Sequence, residues 1–130
     1  MKSRTKLALA IVAAFGLGGA VVEGLHAQAK AKPPVYYVAE IEVTNLDAYT
    51  KEYAPKAQAS LKKAGGRLLA AGQNVVTFEG APPKQRVAVQ IWESMDQVKA
   101  WRNSAEYKEN RKIGDKYAKF RAFAVEGLPQ

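Results

Sequence analysis

The sequence predicts an α+β domain of the ferredoxin-like type, in which a split β-α-β-β-α-β chain forms one antiparallel sheet with two helices on one side. Three observations support this prediction. Short segments with alternating apolar residues predict strands, segments with apolar residues three and four apart predict helices, and the two kinds follow one another in this order. The 130 residues leave room for one domain.

The first half of the domain is predicted to form a strand and then a helix. Residues 35–43 alternate strictly between two sides, which indicates a strand. Asn45 offers an N-cap to a helix over 46–64, and Gly65-Gly66 ends the apolar pattern. Pro55 lies within this helix and removes the amide hydrogen of one helical hydrogen bond, which predicts a kink or a break into two pieces.

The remaining strands are predicted from three further regions. Residues 67–71 and 75–79 are short β-prone runs, which together predict a bent strand or a small hairpin. Residues 86–93 alternate cleanly and are expected to form a central strand. Residues 120–126 are expected to form the last strand of the sheet.

The second helical region is predicted to consist of two pieces. Ser94, with Gln97 three residues later, forms a capping box at the start of the first piece. Ser104 offers the cap of a second piece that continues through Tyr117.

The first 29 residues have the features of a secretory signal peptide. Basic residues precede an uncharged stretch at 7–22, and small residues around Ala29 provide a cleavage site. The stretch is shorter than the about 20 apolar residues of a membrane span, so an uncleaved anchor is the weaker alternative. We expect export by general secretion to a bacterial periplasm or medium, no stable span after cleavage, a linker at 30–34 and a domain at 35–127.

Composition excludes several classes of function. The chain has no cysteine, which excludes a disulfide scaffold, a thiolate zinc site and a cysteine nucleophile. Its formal net charge is +8, but the basic residues are interspersed with acidic ones, and we expect no nucleic acid partner for an exported protein. The single histidine, His26, lies in the segment expected to be removed, so we predict no histidine-held haem, no metal site and no cofactor.

The sheet face opposite the helices is predicted to be mixed in polarity. With Tyr37, Ala39, Ile41, Val87, Val89 and Ile91 placed under the helices, the opposite face carries Tyr36, Val38, Glu40, Glu42, Arg86, Ala88, Gln90 and Trp92. This mixture suits neither a face in water nor a sealed core, but it suits a sheet packed on a second sheet with a partly wet lumen. The simplest source of a second sheet is another copy of the chain, so we predict a homodimer.

Two carboxylates on that face are candidate catalytic residues. Glu40 and Glu42 are two apart on one strand and therefore point to the same side, about 7 Å apart by strand rise. A pair of acids inside a lumen is able to act as general acid and base. The alternative is that Arg67 and Arg86 neutralise them, or that they face solvent.

Four further residues are candidates for binding a ligand in the lumen. They are Tyr36, Arg67, Gln90 and Trp92. Arg67 is suited to a carboxylate or phosphate, with an ion pair to Glu40 or Glu42 as the alternative. Trp92 is suited to stacking on a planar ligand, with dimer packing as the alternative.

Two motifs of the predicted domain are specific: Gly65-Gly66-Arg67 and Ser104-Ala105-Glu106-Tyr107. By these and several other segments, residues 35–127 resemble the domain of unknown function 1330 family, within the dimeric α+β barrel superfamily. The resemblance implies a ferredoxin-like subunit and a homodimeric barrel, and it implies no established activity. Some enzymes of that superfamily are haem proteins, and others are cofactor-independent oxygenases or isomerases. The chain departs from the family pattern in its Thr44-Asn45-Leu46-Asp47 turn and in its export segment.

Three functions are consistent with the sequence. The first is an exported homodimer that binds a small polar or aromatic ligand in the lumen. The second is a cofactor-independent enzyme, similar to an isomerase or a monooxygenase, with Glu40 or Glu42 as general base. The third is a dimer with a structural or stress-related role.

Overall fold

The computed structural model describes residues 32–129, and one compact unit spans Pro33–Leu128. The predicted signal peptide and the first residues of the predicted linker lie outside the described residues. Within the described range no helix is long and apolar enough to cross a membrane. The elements in chain order are β1 (Val35–Val43), α1 (Leu46–Ala48), a π-helical turn (Tyr49–Tyr53), α2 (Ala54–Lys63), β2 (Arg67–Gly72), β3 (Arg86–Trp92), α3 (Met95–Asn103), α4 (Ala105–Tyr117) and β4 (Ala118–Glu126).

The strands form one four-stranded sheet in the order β2-β3-β1-β4, and every neighbouring pair is antiparallel. This order, with helical segments after β1 and after β3, is the ferredoxin-like α+β fold that the sequence predicted. Strands β1 and β3 occupy the centre. Their buried side chains pack beneath the helices, so the helices cover one face of the sheet and leave the other open.

The predicted break at Pro55 is confirmed. The backbone N–H of Ala54 donates to the carbonyl of Tyr49, five residues earlier, so the chain forms a π-helical turn before α2 begins. Pro55 then lies in the first turn of α2, where its missing N–H needs no partner. Two tyrosines, Tyr49 and Tyr53, bound this turn and are both buried.

The predicted helix caps are also confirmed. The Asn45 side chain accepts a hydrogen bond from the Ala48 N–H at 3.1 Å, and the Ser94 hydroxyl accepts one from the Gln97 N–H at 3.1 Å. Ser104 ends α3 and begins α4, where its hydroxyl accepts from the Tyr107 N–H at 3.2 Å. Each cap satisfies a backbone donor that the first helical turn leaves without a partner.

The prediction of a β-structure at 75–79 is wrong. Strand β2 ends at Gly72, opposite Val87, and β3 begins one residue earlier at Arg86. Strand β3 therefore extends too little beyond Gly72 for residues 75–79 to pair with it. These residues lie in the loop over 73–85. The loop exposes apolar side chains, and Phe78 is 91% accessible to solvent.

The predicted orientation of β3 is wrong as well. In the observed register Tyr37 is paired with Gln90 and Ala39 with Ala88, and directly paired residues share a face. The buried residues of β3 are accordingly Ala88, Gln90 and Trp92, which lie under the helices. Val87, Val89 and Ile91 lie on the open face, opposite to the prediction.

A hydrogen bond explains why polar atoms of β3 are buried. The indole Nε1 of Trp92 donates to Oε1 of Gln90 at 2.9 Å, and the two residues are 2% and 8% exposed. Burial of a polar group costs little when it has a partner, so this pair is stable beneath the helices. Gly66 permits the close packing, because a Cβ at that position would lie 2.6 Å from the Trp92 ring.

We use two names for the sides of the sheet. The helix-covered face is the side of the sheet that carries Tyr37, its cross-strand partners and every second residue along each strand from them. The open face is the side that carries Val38 and its cross-strand partners in the same way. A β-bulge between Leu68 and Ala70 shifts β2 by one residue between the two faces. As a result Arg67 belongs to the open face, as predicted, whereas Ala71 belongs to the helix-covered face.

Candidate functional site

A cavity of about 120 Å³ lies between the helix-covered face and the helices. Its floor is a row of alanines, one from each strand, which are neighbours across the sheet: Ala71, Ala88, Ala39 and Ala122. Longer side chains at these positions would occupy the space above the sheet. The cavity exists because the register aligns short side chains in one row.

Aromatic side chains form most of the wall above this floor. They come from β1, the π-helical turn, the two later helices and β4: Tyr37, Tyr49, Tyr53, Trp101, Tyr107 and Phe120. Several of these rings meet edge to face, including Trp101 and Tyr107 with centroids 4.7 Å apart. Such contacts fix the rings, so the wall is a built surface.

Local backbone features place two of these tyrosines. The π-helical turn sets Tyr49 and Tyr53 on the cavity side, with ring centroids 5.4 Å apart. Gly114 of α4 allows the Tyr53 ring to approach the helix, because a Cβ there would lie 2.7 Å from Cε2 of that ring. Turns of π-helix inside longer helices occur frequently at functional sites.

The tyrosine hydroxyls are joined by guanidinium groups. Arg102 Nη1 donates to the hydroxyl of Tyr37 at 2.9 Å and also to that of Tyr107. Arg111 Nη1 donates to the Tyr107 hydroxyl at 2.7 Å, and Arg111 Nε donates to the Asp115 carboxylate at 2.8 Å. The phenolic oxygen of Tyr107 thus lies between two cationic donors.

Burial changes the acidity of the cavity wall. It raises the pKa of Tyr37, Tyr49 and Tyr53 above the usual value, and for Tyr37 the nearby Arg102 only partly opposes the rise. Burial alone would lower the pKa of Arg111. The neighbouring Tyr107 and Asp115 together outweigh that effect, so the pKa of Arg111 is raised. At neutral pH the three tyrosines are therefore uncharged hydroxyls, and Arg111 is a cation.

Arg86 lines the cavity at the start of β3 and differs from the other two arginines. Its buried Nε has no hydrogen-bond partner within residues 32–129. Its guanidinium carbon lies 5.9 Å from the centroid of the Tyr49 ring. The lining residues include Arg86 and Arg111 but no Asp or Glu. The wall of the cavity is therefore positively charged.

The residues predicted to line a ligand-binding lumen do not form one site. Tyr36, Arg67, Glu40 and Glu42 lie on the open face, whereas Gln90 and Trp92 lie on the helix-covered face. The physical reason is the orientation of β3, which is shifted by one residue from the prediction. Of the six, Gln90 lines the cavity, and Trp92 is a core residue.

The candidate catalytic carboxylates also lie away from the cavity. Glu40 accepts a hydrogen bond from Arg121, its cross-strand neighbour on β4, and forms an ion pair with it. The alternative named Arg67 and Arg86 as the neutralising residues, but the arginine that pairs with Glu40 is Arg121. Glu42 lies opposite Lys119 at the same end of the open face.

Apart from Arg67 at its edge, the rest of the open face is mainly apolar. Its partly exposed and exposed side chains include Phe123 at 46% and Val125 at 55%, together with those of Val38, Val87, Val89 and Ile91. The apolar residues are contiguous across β3, β1 and β4, because Val38 pairs with Val89 on one side and with Phe123 on the other. A continuous apolar surface of this kind usually contacts another protein surface.

Sequence reasoning missed most residues of the cavity. Arg86 and Ala88 were assigned to the wrong face, and Trp101 and Tyr107 were interpreted as core alone. Both aromatic residues are indeed buried, at 7% and 9% exposure, but they also line the cavity. The signal that bears on these residues is in β3, where an arginine, an alanine and a glutamine alternate with branched apolar residues. Which of these two sets lies under the helices decides the lining of the cavity.

The sheet order, the single helix layer and the cavity between them define a ferredoxin-like α+β protein. The family model described as "Domain of unknown function (DUF1330)" matches residues 34–128, so the chain belongs to this family. No curated protein matches the chain in sequence. The resemblance found in the sequence is thus confirmed at the level of the family.

Solved structures share the fold at low sequence identity. A protein of unknown function from Rhodopseudomonas palustris has a TM-score of 0.61 at 16% identity, covering 82% of this chain and 94% of its own. SnoaB, a cofactor-independent oxygenase from Streptomyces nogalater, has a TM-score of 0.55 at 11% identity, and the match covers 75% of this chain and 96% of its own. A putative antibiotic biosynthesis monooxygenase from Nitrosomonas europaea has a TM-score of 0.51 at 12% identity, and the match covers 75% of this chain and 92% of its own. At these identities the likeness shows the fold alone.

Proposed function

We propose that this protein is an exported homodimer in which each subunit binds a small, single-ring aromatic molecule between its helices and its sheet. The observation that carries the proposal is the cavity of about 120 Å³ with its alanine floor and aromatic wall. An engineered apolar cavity of about 150 Å³ accommodates benzene, so a cavity of this size suits one ring. This site replaces the predicted one between two sheets.

The composition of the wall supports an aromatic ligand. Rings arranged around a flat ligand offer both edge-to-face and stacked contacts. The uncharged hydroxyls of Tyr49 and Tyr53 add hydrogen-bonding groups at the wall. Three exposed lining residues, Gln58, Leu68 and Ala71, mark an entrance between α2 and β2, and the lining residue Ala122 on β4 is exposed as well.

The open face supports the homodimer. Apolar side chains that are contiguous across three strands are stabilised when a second sheet packs on them. A two-fold pair would bring the same surface of each copy together, which is the commonest arrangement of homodimers. The Glu40–Arg121 pair, at one end of the surface, would then lie near the rim.

Export is proposed from the N-terminal segment alone. Its basic start, uncharged stretch and small residues before Lys30 are those of a cleaved signal peptide.

Neither Glu40 nor Glu42 is retained as a general base for the cavity. Both carboxylates are on the opposite side of the sheet from the alanine floor, and a proton acceptor must lie within hydrogen-bonding distance of the ligand. A structural or stress-related dimer remains the alternative to ligand binding, and the following experiment separates the two.

The test fills the floor of the cavity. Ala88→Leu places a longer side chain beneath the ligand, and Ala59→Leu adds the same group at an exposed position of α2. We expect benzamide or benzoate, titrated by calorimetry, to bind the wild type and the Ala59→Leu variant. Binding to Ala88→Leu should weaken at least about 10-fold, equivalent to about 1.4 kcal/mol.

Thermal unfolding of the same variants completes the test. Because leucine fills existing space, we expect Ala88→Leu to keep or raise the melting temperature. Loss of binding with retained stability would identify the cavity as a ligand site. If neither probe binds the wild type, or if Ala88→Leu binds as the wild type does, the proposal is wrong and the structural role gains support.

A further inference from the structure

Three arginines lie at or beside the cavity, and two of them have protein partners. Arg102 donates to Tyr37 and Tyr107, and Arg111 donates to Tyr107 and Asp115. Arg111 also lies over the Phe120 ring, with its guanidinium carbon 3.8 Å from the centroid. These contacts hold Arg111 in the wall and Arg102 behind it, and they use part of the hydrogen-bonding capacity of both groups.

Arg86 lacks comparable partners in the described part of the chain. Its Nε is buried without an acceptor, and no ion pair to a carboxylate is found for it among residues 32–129. A buried donor without an acceptor is destabilising, and more so when the group is charged. Such a cost persists at a site where a ligand supplies the missing acceptor.

Arg86 is also one of the residues that line the cavity. Arg86 lies next to the alanine floor, since it precedes Ala88 by two residues on the same face of β3. The nearby Tyr49 ring supports the guanidinium through a cation–π contact at 5.9 Å. With no acidic side chain among the lining residues, no protein group in the cavity wall provides a negative charge for it.

We propose that the ligand is an aromatic carboxylate whose carboxyl group binds Arg86 while its ring lies over the alanine floor. This inference rests on the proposed function, because it names the chemical class of the ligand in the same cavity. The planar guanidinium offers parallel N–H donors that match the two oxygens of a carboxylate. The guanidinium N–H donors of Arg86 would form that pair, and the aromatic wall would lie around the ring.

The test compares two probes that differ in charge and little in shape. Benzoate carries a carboxylate, and benzamide carries a neutral amide on the same ring. We expect the wild type to bind benzoate at least about 10-fold more tightly, because hydrogen bonds to charged groups are about twice as strong as neutral ones. Binding is measured by calorimetry on the full-length protein as purified.

Variants of Arg86 and of a control arginine assign the effect to one residue. Arg86→Met should weaken benzoate binding about 10- to 100-fold and weaken benzamide binding by a smaller factor, because the amide carbonyl accepts a hydrogen bond but carries no charge. Arg86→Lys keeps the charge but loses the paired donors, so it should recover part of the benzoate affinity. Arg67→Met removes an arginine of the open face and should leave both affinities unchanged.

The outcomes separate this inference from the proposed function. If both probes bind equally well and Arg86→Met changes neither affinity, the cavity is a ligand site without carboxylate selectivity, and the inference is overturned. If Arg67→Met, and not Arg86→Met, weakens benzoate, the carboxylate lies on the open face and the inference is also overturned. If neither probe binds the wild type, the proposed function fails together with the inference.

Discussion

The two faces of this sheet are built from the same four strands and have opposite characters. The helix-covered face carries alanines, a tyrosine, an arginine and a glutamine around a cavity. The open face carries branched apolar residues and a phenylalanine, together with the charged side chains of Glu40, Glu42, Arg67, Lys119 and Arg121. In a sheet with one face in water the polar residues would be expected on the open side. Here the more polar residues of β3 are under the helices.

This inversion has a physical explanation on each side. Under the helices, Gln90 and Trp92 satisfy each other by a hydrogen bond, and Arg86 borders a cavity that is not a sealed core. On the open face, Val89, Phe123 and Val125 form a surface that favours protein contact over water. The polarity of a strand residue therefore reports what covers its face, and not only whether the face is covered.

The largest expected effect is on the open face. Phe123→Glu places a carboxylate in the proposed contact between two sheets, where burial without a partner costs several kcal/mol. We expect the dimer dissociation constant to rise at least about 100-fold, giving a monomer by sedimentation velocity at micromolar concentration. The cavity is on the opposite face, so binding of benzoate by the monomer should persist.

A matched substitution on the helix layer provides the control. Leu46 is an exposed apolar residue of α1, and Leu46→Glu should leave the association state unchanged. If the wild type sediments as a monomer, or if Phe123→Glu remains dimeric, the open face has another role. In that case only the helix-covered face, with its cavity, would have the role that we propose for it.

The next effect distinguishes two adjacent residues of β3. Trp92 is 2% exposed under the helices, and Trp92→Ala should lower the free energy of unfolding by about 3–5 kcal/mol. Ile91 is on the open face, so Ile91→Ala should weaken the dimer and cost the monomer less than Trp92→Ala does. Urea unfolding of both variants in the Phe123→Glu background measures the loss in the free energy of unfolding of the monomer, without a contribution from association.

The same pair tests the original interpretation of Trp92 as a residue of a lumen between two sheets. In that arrangement Trp92→Ala would disturb the dimer first, and Ile91→Ala would disturb the core. Observing this reversed order would show that β3 has the opposite orientation in solution.

Much of the fold could be predicted from local sequence signals. The caps at Asn45, Ser94 and Ser104 and the break at Pro55 depend on neighbouring residues only, and all are confirmed. The order of the elements was sufficient to give the ferredoxin-like topology. The apolar run at 75–79 was misleading, because whether it forms a strand depends on whether a pairing edge remains there.

The cavity could not be predicted in the same way, because it depends on register between strands. Its floor needs Ala39, Ala71, Ala88 and Ala122 to align across the sheet, and the bulge after Leu68 is what brings Ala71 into that row. Alternation within β3 fits either orientation, since both sets of residues include side chains suited to burial. Pairing with β1 decides between them, and single-strand periodicity does not contain that information.

The smallest expected effect is a dependence of stability on alkaline pH that belongs to the helix-covered face. Burial raises the pKa of Tyr37, Tyr49 and Tyr53 above their value of about 10 in an unfolded chain. The unfolded state therefore loses these protons first as the pH rises. The stabilisation is fully present below about pH 10, and it decreases above that pH until the folded-state pKa is reached, by at most about 1.4 kcal/mol per pH unit for each group.

Urea unfolding of the monomeric Phe123→Glu variant at a series of pH values from about 8 to about 11 measures this slope. Tyr53→Phe removes one of the buried hydroxyls, so its stability should decrease less steeply over the same range. A benzoate-saturated sample should show the same direction of change, because the ligand keeps the rings buried. If the slope in Tyr53→Phe equals that of its parent, the Tyr53 hydroxyl is hydrated in solution, and the wall of the cavity is more open than its ring contacts indicate.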